Sequence, residues 1–219
     1  EVWKVLTENP TEYIDIIVKY IINYADCDDD YIERYAFNLI NEMAEWIAPA
    51  LSSKLDIIVE FIMKHINHQE GFRTLDYVLD QALHPPGDLL DFIQVLISFI
   101  EQATMDQIEL IISSIASSIS SSFLPIEDAY ELICPVLNDA LGENNEEIQK
   151  VAIKCFGNLA IISPRSASSD IDKLSVILTQ VFTNSDYNDD IKLLYESIVC
   201  LKKVCQHLPI SFEPFFDDF

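Results

Sequence analysis

Three acidic turns are the residues of this chain best placed to do chemistry. Asp28-Asp29-Asp30 is followed by Glu33, Glu143 by Glu146 and Glu147, and Asp186 by Asp189 and Asp190. Carboxylates at this density can hold a divalent cation or attract cationic side chains. A Ca²⁺ loop over 26–30 is excluded, because no Gly and no bidentate Glu falls at the loop spacing that ion needs. Two readings are left open. The acids line up along one edge and receive a basic helix, through long-range attraction and charge-assisted hydrogen bonds to Arg. Or they cap helix starts, where each favours the helix dipole by about 0.3–1 kcal/mol, and are otherwise solvated.

Two aromatic residues lie near these acids. Trp46 neighbours Glu42 and Glu45, and an indole flanked by carboxylates suits the stem and charge of Lys or Arg; core packing is the alternative. Phe37 falls opposite the Ala36/Ile40/Met43 stripe by helical phase, so it is expected on the exposed side as a contact residue. Ser113, Ser114, Ser117, Ser118, Ser120, Ser121 and Ser122 form a small face opposite an Ile stripe, open either to close approach of a neighbour or to solvent.

Catalytic groupings are not visible. His65 and His68 lie three apart, but no third ligand has metal spacing. With only four Gly there is no phosphate-binding loop. The five Cys are irregularly spaced, which argues against a disulfide framework, and Cys155 and Cys200 fall on apolar stripes as core residues. Neither an enzyme, a cofactor nor a metal is expected.

Composition sets the class of partner. The chain has 219 residues, 37 acidic against 13 basic, for a net charge of −24. Such a surface repels nucleic acid and anionic lipid and attracts basic protein segments. The longest apolar stretch, near 108–125, carries one charge at Glu109 and is interrupted by seven serines, so no membrane span is expected.

The elements that must position these residues are helices. Apolar residues recur at helical spacing nearly throughout, with Pro and the His84-Pro85-Pro86-Gly87 turn as stops. On the first helix, Tyr13, Ile16, Ile17, Tyr20, Ile21 and Tyr24 share a face, and Gly142 is a helix C-cap candidate. Ten helices pair into five hairpins, at 11–47, 52–83, 88–123, 126–162 and 168–208. Phrases beginning at Ile32, Ile148 and Ile191 repeat at multiples of roughly 40 residues, the period of two-helix solenoids. The expected fold is therefore all-α: a right-handed α-α superhelix, one solenoid over 1–219. Terminal repeats normally need a polar cap. Val2, Trp3 and Val5 at one end, and Phe212, Phe215, Phe216 and Phe219 at the other, are expected to be left partly bare, as in a piece of a longer solenoid.

Ile148…Ala152…Phe156-Gly157…Leu159-Ala160 resembles the second helix of a HEAT repeat. Where that motif usually carries Asp and Arg, this chain has Asn144-Asn145 and Gln149. Leu141-Gly-Glu-Asn-Asn, then Cys155-Phe-Gly-Asn-Leu-Ala, then Asp190-Ile-Lys-Leu-Leu-Tyr-Glu-Ser, is similar to importin-β-type (karyopherin-β) nuclear transport receptors. The likeness covers 124–208. It implies partners: basic cargo or importin-α-like adaptor segments and Ran-GTP on acidic surfaces, and Phe-Gly nucleoporins between neighbouring outer helices. It also implies a location in cytoplasm and nucleus and at the nuclear pore and envelope. The alternative is a structural HEAT scaffold subunit of a phosphatase, vesicle-coat or chromosome-organising complex. A tubulin-binding array is disfavoured, since the acidic charge would repel tubulin.

Overall fold

The computed structural model describes residues 10–25, 29–66, 69–122, 127–143, 145–183 and 191–213. Among them every regular element is a helix. The chain divides after the Pro-Pro-Gly turn into two compact units, Glu1–Asp88 and Leu89–Phe219.

The first unit holds α1 (Pro10–Ala25), α2 (Asp30–Ser52), α3 (Leu55–Lys64) and α4 (Gln69–Gln81). Helix α2 packs against α1, α3 and α4. Its start is fixed by Asp29, whose carboxylate accepts from the Tyr31 N–H at 2.9 Å. The expected stop at Ile47 is a kink: Ile47 leaves helical geometry at φ −135°, ψ 33°, and the chain re-enters helix through Pro49. Proline has no N–H to bond the preceding turn, so the break falls just before it. Gly87 is the one positive-φ residue among those described, and its N–H donates to Asp56 at 2.6 Å, tying the turn back to α3.

The second unit holds α5 (Leu89–Ile100), α6 (Met105–Ser120), α7 (Glu127–Gly142), α8 (Glu146–Ile162), the short α9 (Pro164–Ala167), α10 (Ile171–Thr183), α11 (Ile191–His207) and α12 (Pro209–Phe212). A capping box between Thr104 and Gln107 starts α6. Sequential helices pair as α5 with α6, α7 with α8 and α10 with α11, while α8 also packs against α6 and α11 in a second layer. This is the all-α helix-pair repeat that the spacing predicts. Helix α8, which carries the HEAT-like phrase, is buried on nearly every side from Ile148 to Ile162.

Small residues set the spacing of that layer. Gly157 lies so close to α11 that an added Cβ would stand 3.2 Å from Cys200 Cα and 3.3 Å from Lys203 Cδ. A Gly157→Ala variant is expected to lose about 1–3 kcal/mol, because a backbone atom cannot swing away; urea unfolding measures it, and a neutral result would mean the two helices slide freely. Ser114, Ser117 and Ser118 are buried in α6, so of the two readings left open for the serine face these three take the close-approach one.

Three expectations are corrected. Phe37 is 1% exposed, in the core of the first unit. The stripe through Ala36, Ile40 and Met43 is too narrow a guide on α2, because packing against three helices buries a wider arc that also takes in Ala44 and Ile47. Phe212 is also fully buried, because α12 folds onto α11. Gly142 ends α7 where expected but without the left-handed cap geometry. Val2, Trp3, Val5, Phe215, Phe216 and Phe219 lie outside the described residues.

Candidate protein-docking surface

The acidic residues divide by environment. Asp29 is exposed and caps α2. Glu33 is not on an open edge: its side chain is 12% exposed and stands 3.6 Å from His65 Nδ1 on the segment after α3. That contact gives His65 a carboxylate neighbour within its own unit. Among the described residues no cluster of three or more His, Cys, Asp or Glu is arranged to hold a metal ion. Glu143, Glu146 and Glu147 are exposed at the α7–α8 turn. Asn145 caps α8, accepting from the Glu147 and Ile148 N–H groups at 3.0 and 3.3 Å. Gln149 donates to the Glu143 carbonyl at 2.7 Å, so the positions of the missing Asp and Arg are occupied by a local turn clamp. Glu147 pairs with Lys150. Asp28, the Asp30 side chain, Asp186, Asp189, Asp190, His68 and Cys27 lie outside the described residues.

The first unit also carries an apolar groove. Ile17, Tyr20 and Tyr24 on α1 face Ile32, Tyr35 and Leu39 on α2 across a depression of about 300 Å³. The core side of α1 is Ile14, Val18, Ile21 and Ala25, while Ile17, Tyr20, Ile21 and Tyr24 of the face read from sequence line the groove together. Ile16, Tyr20 and Tyr24 are open to solvent; Tyr24 is 67% exposed, and the Tyr20 and Tyr24 rings stack at 6.2 Å. Along α2, Tyr31, Tyr35, Glu42 and Trp46 follow at intervals of four, seven and four residues, which places them on one helix face. All four are exposed, with Trp46 at 58%. Trp46 therefore sits with Glu42 and Glu45 on the surface rather than in the core. Among the described residues of α1 and α2 the exposed charges are Asp15, Glu42 and Glu45 against Lys19 and Arg34, and Asp15 pairs with Lys54 at 2.5 Å.

The second unit has a polar cleft of about 690 Å³ lined by Tyr130, Glu131, Cys134, Asn138 and Ser166. At its edge Asp170 accepts from Tyr130 Oη at 2.5 Å and from Cys134 Sγ at 3.3 Å, and pairs with Lys173 at 2.9 Å. Burial, then the hydrogen bond to Asp170, raises the Tyr130 phenol. Burial also holds the Cys134 thiol above its ordinary value, the opposite of what a nucleophilic thiolate needs. The hydrogen bonds from Lys173 and Tyr130 lower the Asp170 carboxyl. Together with Glu127, which accepts from both the backbone and hydroxyl of Ser166, these contacts staple α7 to the segment that follows α8. Because the folded Asp170 is depressed, its stabilising contribution is complete above about pH 4, the unfolded value, and fades as pH falls through the folded one. An Asp170→Asn variant is expected to flatten the acid limb of the stability–pH profile; an unchanged limb would mean the staple contributes nothing.

Sequence reasoning missed a buried ladder in the same unit. Asn158 of α8, 2% exposed, donates to the Ala116 carbonyl of α6 at 2.7 Å and accepts from Lys203 Nζ of α11 at 2.5 Å. Burial lowers the Lys203 amine. The signal for Asn158 was a lone amide inside the unbroken apolar run Phe156–Ala160. In the first unit Asn41 of α2 donates to Thr74 of α4 at 3.2 Å in the same manner.

No family model matches the chain, and no curated protein matches it in sequence. Among solved structures, it is similar to the crystal structure of an engineered protein from the Northeast Structural Genomics Consortium. The TM-score is 0.65 over 90% of this chain and 84% of that one, at 17% identity. At that identity the likeness concerns the fold alone.

Proposed function

We propose that these helix pairs belong to an importin-β-like nuclear transport receptor, a non-enzymatic protein-binding solenoid working between cytoplasm and nucleus and at the nuclear pore and envelope. Its partners are basic cargo or importin-α-like adaptor segments, Ran-GTP and Phe-Gly nucleoporins. The observation that carries this reading is the conjunction of helix-pair repeat architecture with a net charge of −24 and free carboxylates at Glu143 and Glu146 beside the HEAT-like phrase. Acidic helical arrays of this kind attract cationic segments at long range and fix them by hydrogen bonds to Arg. The scaffold reading draws support from the Ala116–Asn158–Lys203 ladder, which cross-links three helices of one layer as a rigid support would.

The test is a titration of the chain with a basic adaptor peptide and, separately, with Ran-GTP, at low salt and near 0.15 M. Saturable binding that persists at the higher salt, where the Debye length is about 8 Å, is expected. It should weaken in a Glu146→Lys, Glu147→Lys variant. Loss of all binding at modest salt would reduce the charge to a diffuse field, and absence of binding to either ligand would put the scaffold reading first.

A further inference from the structure

We propose that the α1–α2 groove and the aromatic face beside it form a docking site for a cationic amphipathic helix. This rests on the reading of the chain as a binder of basic protein segments, and it names a second site for one, apart from the α7–α8 turn. The groove floor is apolar, from Ile17, Ile32 and Leu39, and its walls carry the exposed rings of Tyr20, Tyr24 and Tyr35. Exposed apolar patches of this kind are uncommon on soluble surfaces without a partner. An occupant with one apolar face fills such a groove at helical spacing.

Charge decides which occupant. Glu42 and Glu45 stand exposed beyond Leu39 on α2, next to Trp46, and the chain as a whole is at −24. A second copy of the same chain would bring the same acids face to face, which disfavours self-association. Lys or Arg at the edges of a bound helix would instead meet Glu42, Glu45 and the rings of Tyr31, Tyr35 and Trp46. There the cation lies over aromatic faces with a carboxylate in reach. The exposed stripe on α2 repeats at four, seven and four residues, the register of a helix laid alongside.

The chain has two tryptophans, Trp3 and Trp46, so a Trp3→Phe background makes Trp46 the sole indole reporter. The probe is a synthetic peptide of about four helical turns, with Leu on one face and Arg on its flanks. A matched peptide with Glu in place of Arg and a sequence-scrambled Arg peptide serve as controls. The Arg amphipathic peptide is expected to change Trp46 fluorescence saturably, with both controls at least about tenfold weaker. A Tyr20→Ser, Tyr35→Ser variant should lose about tenfold or more in affinity, because exposed aromatic anchors carry most of such a contact. These residues are exposed, so the far-UV circular dichroism should not change. Glu42→Lys with Glu45→Lys should weaken binding, while Glu146→Lys with Glu147→Lys should leave this signal unchanged, which separates failure of this site from failure of the receptor reading. Equal binding of the scrambled Arg peptide, indifference to the Tyr variant, or a concentration-dependent dimer abolished by the Tyr variant would each overturn the proposal.

Discussion

Phe37→Ala is expected to cost the first unit about 3–5 kcal/mol, the range for emptying a buried phenylalanine site. The ring is 1% exposed, lies 6.0 Å from the Phe61 ring of α3 in a tilted pair, and ends beside Gly71 of α4. Three helices meet at this side chain, so none of them closes the vacancy by a local rotamer change. Domains are stable by only about 5–15 kcal/mol, so the first unit should unfold at markedly lower urea. Trp46 lies on the same helix as Phe37 and reports that transition in a Trp3→Phe background. A surface contact residue would behave in the opposite way: truncation would change stability by about 0.5 kcal/mol or less and weaken partner binding instead. A measured loss near zero would restore Phe37 to the surface and remove the three-helix junction from the account of this unit.

Phe37 also marks what the sequence allows a reader to see. Helix existence and most stops were legible, because proline and the Pro-Pro-Gly turn act locally: the breaks at Ile47, before Pro164 and before Pro209 need no tertiary knowledge. The HEAT-like phrase was legible as a helix from its apolar spacing, but Gln149, Lys150 and Lys154 gave no sign that it is buried on nearly every side. The width of a buried arc was not, since it depends on how many neighbours a helix has. That is why Phe37 on α2 is expected on the exposed side while the structure buries it. Trp46, whose flanking glutamates pull it toward solvent, had both outcomes open, and the structure takes the exposed one. Glu33 looked like one more acid in an acidic turn. Its position one turn into α2 brings it against His65, a contact between residues far apart in sequence that no local pattern announces.

The buried ladder gives the second large effect. In an Asn158→Leu variant the Lys203 ammonium keeps its half-buried position and loses its acceptor, and the Ala116 carbonyl loses a donor. Hydrogen bonds to charged groups contribute about 1.5–3 kcal/mol and neutral ones about 1, so the expected loss is about 2–4 kcal/mol in urea unfolding of the second unit. The cost comes from stranding a charge, not from leucine itself, which matches the apolar surroundings of α8. Adding Lys203→Met should therefore restore part of it, with a favourable interaction energy of about 1–3 kcal/mol in the double-mutant cycle. The pH dependence has a definite sign. Burial lowers the folded Lys203 amine below its unfolded value, so the unfolded chain holds that proton more tightly. Between the two values stability should rise with pH, and that alkaline rise should vanish in Lys203→Met. Strict additivity of the two substitutions would mean that Asn158 and Lys203 act independently, and would leave close packing at Gly157 as what joins α8 to α11.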